Sequence, residues 1–136
     1  MNPLEEGKEL TLDFGKIAGV AENCPDVVPV AVQDADTGEV ILVAYTNRLA
    51  LDQAIGTRTL VLWSTSRNQL WEKGKTSGET FELVEAFVNC EQNSLLYKVR
   101  PRRGGICHTR NQSDKPRNCY YRRINLNTLE LENLDP

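Results

Sequence analysis

Short apolar runs separated by turn residues constrain this chain more than any other feature. Val27–Val32, Val40–Tyr45, Thr59–Trp63, Thr80–Cys90, Ser94–Val99 and Cys119–Asn125 each have the length of a strand rather than of a helix. Asp34-Ala35-Asp36-Thr37-Gly38 supplies a turn after the first run, with Gly38 able to take positive φ, so the first two runs are expected as a hairpin. Gln69–Glu72 is expected to return beside Thr59–Trp63 across the polar turn Ser64–Asn68. One segment reads clearly as a helix: Asn47 suits the N-cap of Arg48–Ile55, and Gly56 its stop. The pattern predicts an α+β class, a mostly antiparallel β-sheet with one short helix. A length of 136 residues fits a single domain. Within it we expect an N-terminal arm (1–26), a core (27–124) and a polar, acidic tail (125–136). Leu10, Leu12, Phe14 and Ile17 suit a short packed arm or helix.

The net charge of -3 excludes general nucleic-acid binding, which needs a basic field to neutralise phosphates. Basic residues do cluster in Lys98–Arg103 and Arg117–Arg123, so a local anionic ligand such as a phosphate ester stays open. No apolar run reaches about 18 residues, so no membrane span is expected. The start, Met1-Asn2-Pro3-Leu4-Glu5-Glu6, lacks the basic and apolar regions of a secretory signal, and the expected location is the cytoplasm. In a reducing compartment, cysteines serve as metal ligands, as catalytic groups or as buried thiols rather than as disulfides.

Cys90, Cys107 and Cys119 form a candidate set. Three protein ligands leave one position on zinc for a water, whose pKa the metal lowers toward neutrality. No C-x-x-C pair is present, so three buried thiols remain the alternative on spacing alone. Cys24 reads either as a fourth, structural ligand or as a buried thiol. His108, the sole histidine, stands beside Cys107, where it suits proton transfer or the orienting of a neighbour. Trp63-Ser64-Thr65-Ser66-Arg67 combines an aromatic face with hydroxyls and a guanidinium. Lys73-Gly74-Lys75-Thr76-Ser77-Gly78 adds cations and hydroxyls. Both suit a planar, anionic ligand, and both also suit plain turns.

Taken in order, these segments resemble the phosphoribosyl-AMP cyclohydrolase family. The resemblance runs from about Leu12 to Arg122. It rests on Val28–Val40, Ala44-Tyr45, Asn47, Trp63-Ser64, Ser66-Arg67, Leu70-Trp71, Lys73-Gly74, Thr76-Ser77-Gly78, Cys90, Cys107-His108-Thr109 and Cys119-Tyr120-Tyr121-Arg122. It implies hydrolysis of the N1–C6 bond in the purine ring of 1-(5-phosphoribosyl)-AMP, in histidine biosynthesis. It also implies a homodimer with active sites at the subunit interface and zinc ligands drawn from both subunits. The ligands map to Cys90, Cys107 and Cys119, and the proton-transfer group to His108. Trp63, Ser64, Ser66, Arg67, Lys73, Thr76, Ser77 and Gly78 map to the nucleotide pocket.

The chain also departs from the family pattern. Family members carry Asp-Cys-Asp-x-Asp around the first zinc cysteine, and those aspartates bind magnesium. Here the stretch is Asn89-Cys90-Glu91-Gln92-Asn93. Only Glu91 keeps a carboxylate, so a weakened magnesium site is expected at Asn89, Glu91 and Asn93. The family's Cys-His-Thr-Gly-Arg-Arg-Ser-Cys spacing is stretched here by the loop Arg110–Asn118. Thr65, Lys75 and Glu79 stand where arginine, glutamate and asparagine are usual. These changes suit either a working cyclohydrolase or a paralogous zinc hydrolase or deaminase acting on a different nitrogen heterocycle. A non-catalytic zinc- or nucleotide-binding protein would need a closed metal site instead.

Overall fold

Alternation decides the first pairing. In β1 (Val28–Asp34), Val30 and Val32 are fully buried, and the strand pairs antiparallel with β2 (Val40–Thr46), from Val28 opposite Thr46 to Val32 opposite Leu42. Asp34 Oδ1 accepts the Asp36 and Thr37 N–H groups (2.8 and 3.0 Å), and Gly38 takes φ +78°. This is the expected hairpin, with its turn chemistry in place. The computed structural model describes residues 2–73, 80–102, 110–115 and 117–136.

After β2 the chain enters the expected helix, α3 (Arg48–Thr57), which follows two short helices in the arm, α1 (Pro3–Glu6) and α2 (Lys16–Asn23). Asn47 caps α3 by accepting the Ala50 N–H at 3.0 Å, and Ala50 and Ala54, one turn apart, face the core. Gly56 does not end the helix. Arg58 does, in the left-handed conformation at φ 54°. A non-glycine there costs about 1 kcal/mol, and the next pairing explains why it is tolerated. The Arg58 carbonyl accepts the Leu83 N–H (2.9 Å) and a guanidinium N–H of Arg102 (3.0 Å), while Thr59 bridges to Glu82.

That bridge bends the sheet toward closure. The strands β3 (Val61–Ser64), β4 (Gln69–Glu72), β5 (Phe81–Val88) and β6 (Leu95–Pro101) complete a sheet of order β4-β3-β2-β1-β6-β5. Leu60, just before β3, donates its N–H to the Phe81 carbonyl of β5 at 3.0 Å, joining the two sides. The sheet is antiparallel except for β1 and β6, which run parallel with Val30 opposite Leu95. The α+β, mostly antiparallel reading therefore holds, with one parallel pair and the arm's short helices added. Inside lie Leu60, Leu62, Phe81, Leu83, Tyr97 and Val99 with the valines of β1. Each such burial contributes about 1.5–3 kcal/mol. Burial raises the pKa of Tyr97. The nearby Thr46 hydroxyl opposes the rise, without the geometry to satisfy the phenol as a hydrogen-bond partner.

In β5 the register shifts between Leu83 and Glu85. Phe81 and Leu83 stay inside, but the irregularity turns the rest of the strand outward and leaves Val84, Phe87 and Val88 exposed. The tail is not plain coil. Leu131–Asn133 forms β8, antiparallel to β7 (Arg122–Ile124), as a two-stranded sheet.

Candidate active site

The hairpin of β3 and β4 carries the first group of expected site residues. Trp63 lies on β3 opposite Tyr45, and its indole N–H donates to Asn68 Oδ1 at 3.0 Å. Asn68 accepts in this way from φ 52°, a conformation that Asn tolerates. Ser64 Oγ accepts the Arg67 N–H at 3.3 Å and lies 3.3 Å from Ser66 Oγ. The two serines thus help to shape the turn. The Arg67 side chain is exposed, with no ion pair among the described residues. The turn and ligand readings of this segment are compatible: the hydroxyls fix the loop, and the indole and guanidinium are presented by it.

Lys73 follows β4 and is 8% exposed, its N–H donating to the Leu60 carbonyl at 3.3 Å. Its stem is packed at the root of the Lys73–Gly78 segment. Thr76, Ser77 and Gly78 lie outside the described residues, as do Cys107 and His108.

Cys90 is exposed in the turn between β5 and β6. Cys119 is also exposed, and its N–H donates to the Ile41 carbonyl at the start of β2 (3.0 Å). The register sets these thiols at opposite ends of the sheet. Val88, just before Cys90, aligns through Leu95 with Val30, and the chain then runs on toward Val28. Ile41 sits beside Val32 and Gln33, with β6 and β1 lying between β5 and β2. At about 3.3 Å per residue and 4.8 Å per strand, the separation is on the order of 20 Å. One zinc ion, with Zn–S bonds of about 2.3 Å, spans no such gap. Among the described residues, no group of three or more His, Cys, Asp or Glu side chains could hold a metal ion. Exposed thiols nevertheless suit zinc, provided that the two come from different subunits.

Large apolar side chains are exposed around both cysteines. Phe87 and Val88 are exposed beside Cys90, and Tyr120 beside Cys119, with Val40 and Val43 exposed on β2. Cys24 behaves differently. It is 1% exposed and its thiol lies 3.4 Å from the Thr65 carbonyl, in keeping with the buried-thiol alternative. It helps to line an apolar cleft of about 370 Å³ between α2 and the start of β1, with Ile17, Val20, Pro25, Pro29 and Tyr45.

The three doubtful magnesium positions, Asn89, Glu91 and Asn93, lie in one closed turn. Asn89 Oδ1 accepts the N–H groups of Asn93 and Ser94, both at 2.9 Å, and Asn89 Nδ2 donates to Asn93 Oδ1 at 2.6 Å. The side-chain oxygens of these two asparagines are already engaged inside the protein, and neither is anionic. Mg²⁺ demands hard, usually charged oxygen ligands in near-octahedral array. Glu91 is the one charged oxygen donor of the three positions, and with both amide oxygens engaged the donor set does not fit it.

The basic clusters are also engaged. Arg100 forks onto Asp36 through two bonds of 3.0 Å, and Arg102 donates to Thr59 Oγ1 at 3.0 Å. Arg117 is buried, bonded to Glu6 and to the Asp135 carbonyl, and lies over the Tyr121 ring at 3.7 Å. Arg122 donates to the Gly7 and Leu4 carbonyls at 3.1 and 2.7 Å. Sequence reasoning offered these arginines to an anionic ligand. The structure spends them on the protein's own acids and carbonyls. Glu6, an unremarked acid in the arm, is the partner that reading missed, and no local pattern signalled a contact so distant in sequence.

A mostly antiparallel α+β fold with an aromatic and cationic hairpin, and with exposed thiols toward its two ends, defines the class of the domain. Residues 42–121 match the family model for phosphoribosyl-AMP cyclohydrolase, and the chain belongs to that family. A phosphoribosyl-AMP cyclohydrolase of Hyphomonas neptunium is 46% identical over 98 residues, which are 72% of this chain and 70% of the relative. One of Halobacterium salinarum is 38% identical over 128 residues, 94% of each chain. The histidine biosynthesis bifunctional protein HisIE of Thermus thermophilus is 45% identical over 98 residues, 72% of this chain and 43% of its own length.

Proposed function

We propose that this protein hydrolyses the N1–C6 bond in the purine ring of 1-(5-phosphoribosyl)-AMP, in histidine biosynthesis, as a zinc-dependent homodimer working in the cytoplasm. The carrying observation is the family match through residues 42–121, which includes all three candidate ligands. The opposed placement of Cys90 and Cys119 supports a site shared by two subunits. Cys90, Cys107 and Cys119 would hold the metal. When bound, zinc supplies a Lewis acid that makes a water nucleophilic near neutral pH.

The remaining steps belong to the side chains. Hydrolysis adds oxygen to C6 and hydrogen to N1, so a group must deliver a proton to the departing nitrogen. An imidazole suits that task, and His108 stands beside a proposed ligand in the sequence. Trp63, oriented by Asn68, offers a face for the purine or a neighbouring ring. Arg67 and Lys73 offer charge to the phosphates, together with Ser64, Ser66, Thr76, Ser77 and the Gly78 backbone. Among the described residues, no helix is long and apolar enough to cross a membrane.

Zinc-loaded protein incubated with 1-(5-phosphoribosyl)-AMP is expected to open the ring, followed by the ultraviolet change of the purine. A Cys107→Ser variant is expected to lose bound zinc and turnover together. Binding of the nucleotide without ring opening by the zinc-loaded protein would sink the assignment. Full activity in the Cys107→Ser variant would sink the zinc mechanism alone.

A further inference from the structure

The turn that presents Cys90 is closed by an amide hydrogen bond at the positions where the family pattern places a pair of carboxylates. Its orientation is fixed by elimination. The backbone N–H groups of Asn93 and Ser94 both point at one atom of the Asn89 amide, and only oxygen can accept them. The Asn89 NH₂ must then face Asn93, and Asn93 must answer with its oxygen, at 2.6 Å. Main-chain bonds from Asn89 N–H to the Ser94 carbonyl (3.2 Å) and from Gln92 N–H to the Asn89 carbonyl (3.0 Å) close the same loop. Gln92 takes φ 55° within it.

Aspartates at both positions would change this arrangement. A carboxylate in place of the Asn89 amide would still accept the two backbone N–H groups. Its second oxygen, however, would meet a carboxylate oxygen in place of the Asn93 amide, with no proton between them. Two carboxylates that close repel one another unless a proton or a cation lies between them, and near neutral pH a divalent cation is the stronger bridge. We infer that in this protein the Asn89–Asn93 amide bond takes the place of a divalent cation, so that the turn presents Cys90 in its working position without magnesium. The significance of Cys90 rests on the function proposed above, whereas the claim about the cation stands on the turn alone.

The two variants separate the chemistry. In Asn93→Asp, the Asn89 NH₂ still donates, now to a carboxylate. In Asn89→Asp, the Asn93 amide can flip and donate instead. Only Asn89→Asp/Asn93→Asp puts carboxylates at both ends of this hydrogen bond. Zinc-loaded wild type and each variant should be titrated with MgCl₂ in a calorimeter, without nucleotide, and melted with and without the salt. Wild type and both single variants are expected to show no saturable heat and no Mg²⁺-dependent change of midpoint. The double variant is expected to melt lower by roughly 5 °C without Mg²⁺ and to recover on its addition, with saturable binding. Recovery of soluble double variant only from Mg²⁺-containing buffer would support the inference equally. Saturable Mg²⁺ binding by wild type, removed by Asn89→Ala, would overturn it. A double variant indifferent to Mg²⁺ would overturn it too. Failure of wild type to open the purine ring would refute the proposed function and leave these readings unchanged.

Discussion

Arg117 shows how a charge read as a ligand group becomes a structural one. Its side chain is 1% exposed and reaches Glu6, the Asp135 carbonyl and the Tyr121 ring. Burial acts to lower its pKa, but the hydrogen bond and charge of Glu6, with help from Tyr121 and Asp135, leave it raised. The guanidinium therefore stays charged while enclosed. Removing it strands these partners and opens a void. Arg117→Ala is expected to cost about 3 kcal/mol in chemical denaturation, and Arg117→Met less, because the methionine stem refills the space. An unchanged midpoint in Arg117→Ala would mean that the contact contributes nothing. At this scale the sequence showed which residues carry chemistry but not which would use it on one another. Trp63 is half-buried on its hairpin and Cys90 is exposed, against the usual burial of a free thiol. Arg117 and Arg100 are engaged by partners 111 and 64 positions away, and no local pattern marks such pairs.

Elements were more legible, because a strand or a capped helix is written locally. The runs at Val28–Asp34 and Val40–Thr46 alternate or are β-branched, and Asn47 announces α3. Two misreadings have physical causes. Gly56 looked like a helix stop, but the helix runs two residues past Ile55, to Thr57, and Thr59 then lies opposite Glu82. Leu131–Asn133 was read as tail because its pairing depends on β7. A signal was present in Asn125, whose Oδ1 accepts the Asn127 and Thr128 N–H groups and so turns the chain between the two strands. The first hairpin has its own tie, Arg100 of β6 holding Asp36 in the β1–β2 turn. The hydrogen bond from Arg100 holds the Asp36 carboxyl below its ordinary value of 3.8. A depressed folded-state pKa adds stability that is present above 3.8 and lost as pH falls through the lower folded value. Asp36→Asn is therefore expected to melt slightly below wild type at neutral pH. The two curves should converge in acid, and high salt should narrow the gap, since the pair is exposed. A difference that grew on acidification would contradict this reading.

For the whole molecule, the long loop after the second family ligand proves to be anchored. Gln112 N–H donates to the Pro136 carbonyl, Asn111 Nδ2 to Asp135, and Leu131 N–H to the Lys8 carbonyl. Loop, tail and arm thus pack as one unit that leads into Cys119, itself tied to β2 through Ile41. Cys90 belongs to the other end of the sheet, carried by the turn that Asn89 closes. If both thiols hold one zinc, as proposed above, the two must come from different chains. In a two-fold dimer each site would take Cys90 from one subunit and Cys119 from the other. Cys90→Ser and Cys119→Ser should each abolish turnover on their own. Unfolded together in equal amounts and refolded, they should form mixed dimers in half of the assemblies. Each mixed dimer holds one site with both thiols and one with neither. Turnover and bound zinc should then return to about a quarter of the wild-type level. If both thiols served the same site from within one chain, no mixture would restore anything, and a mixture as silent as its parents, despite subunit exchange, would rule out the shared site.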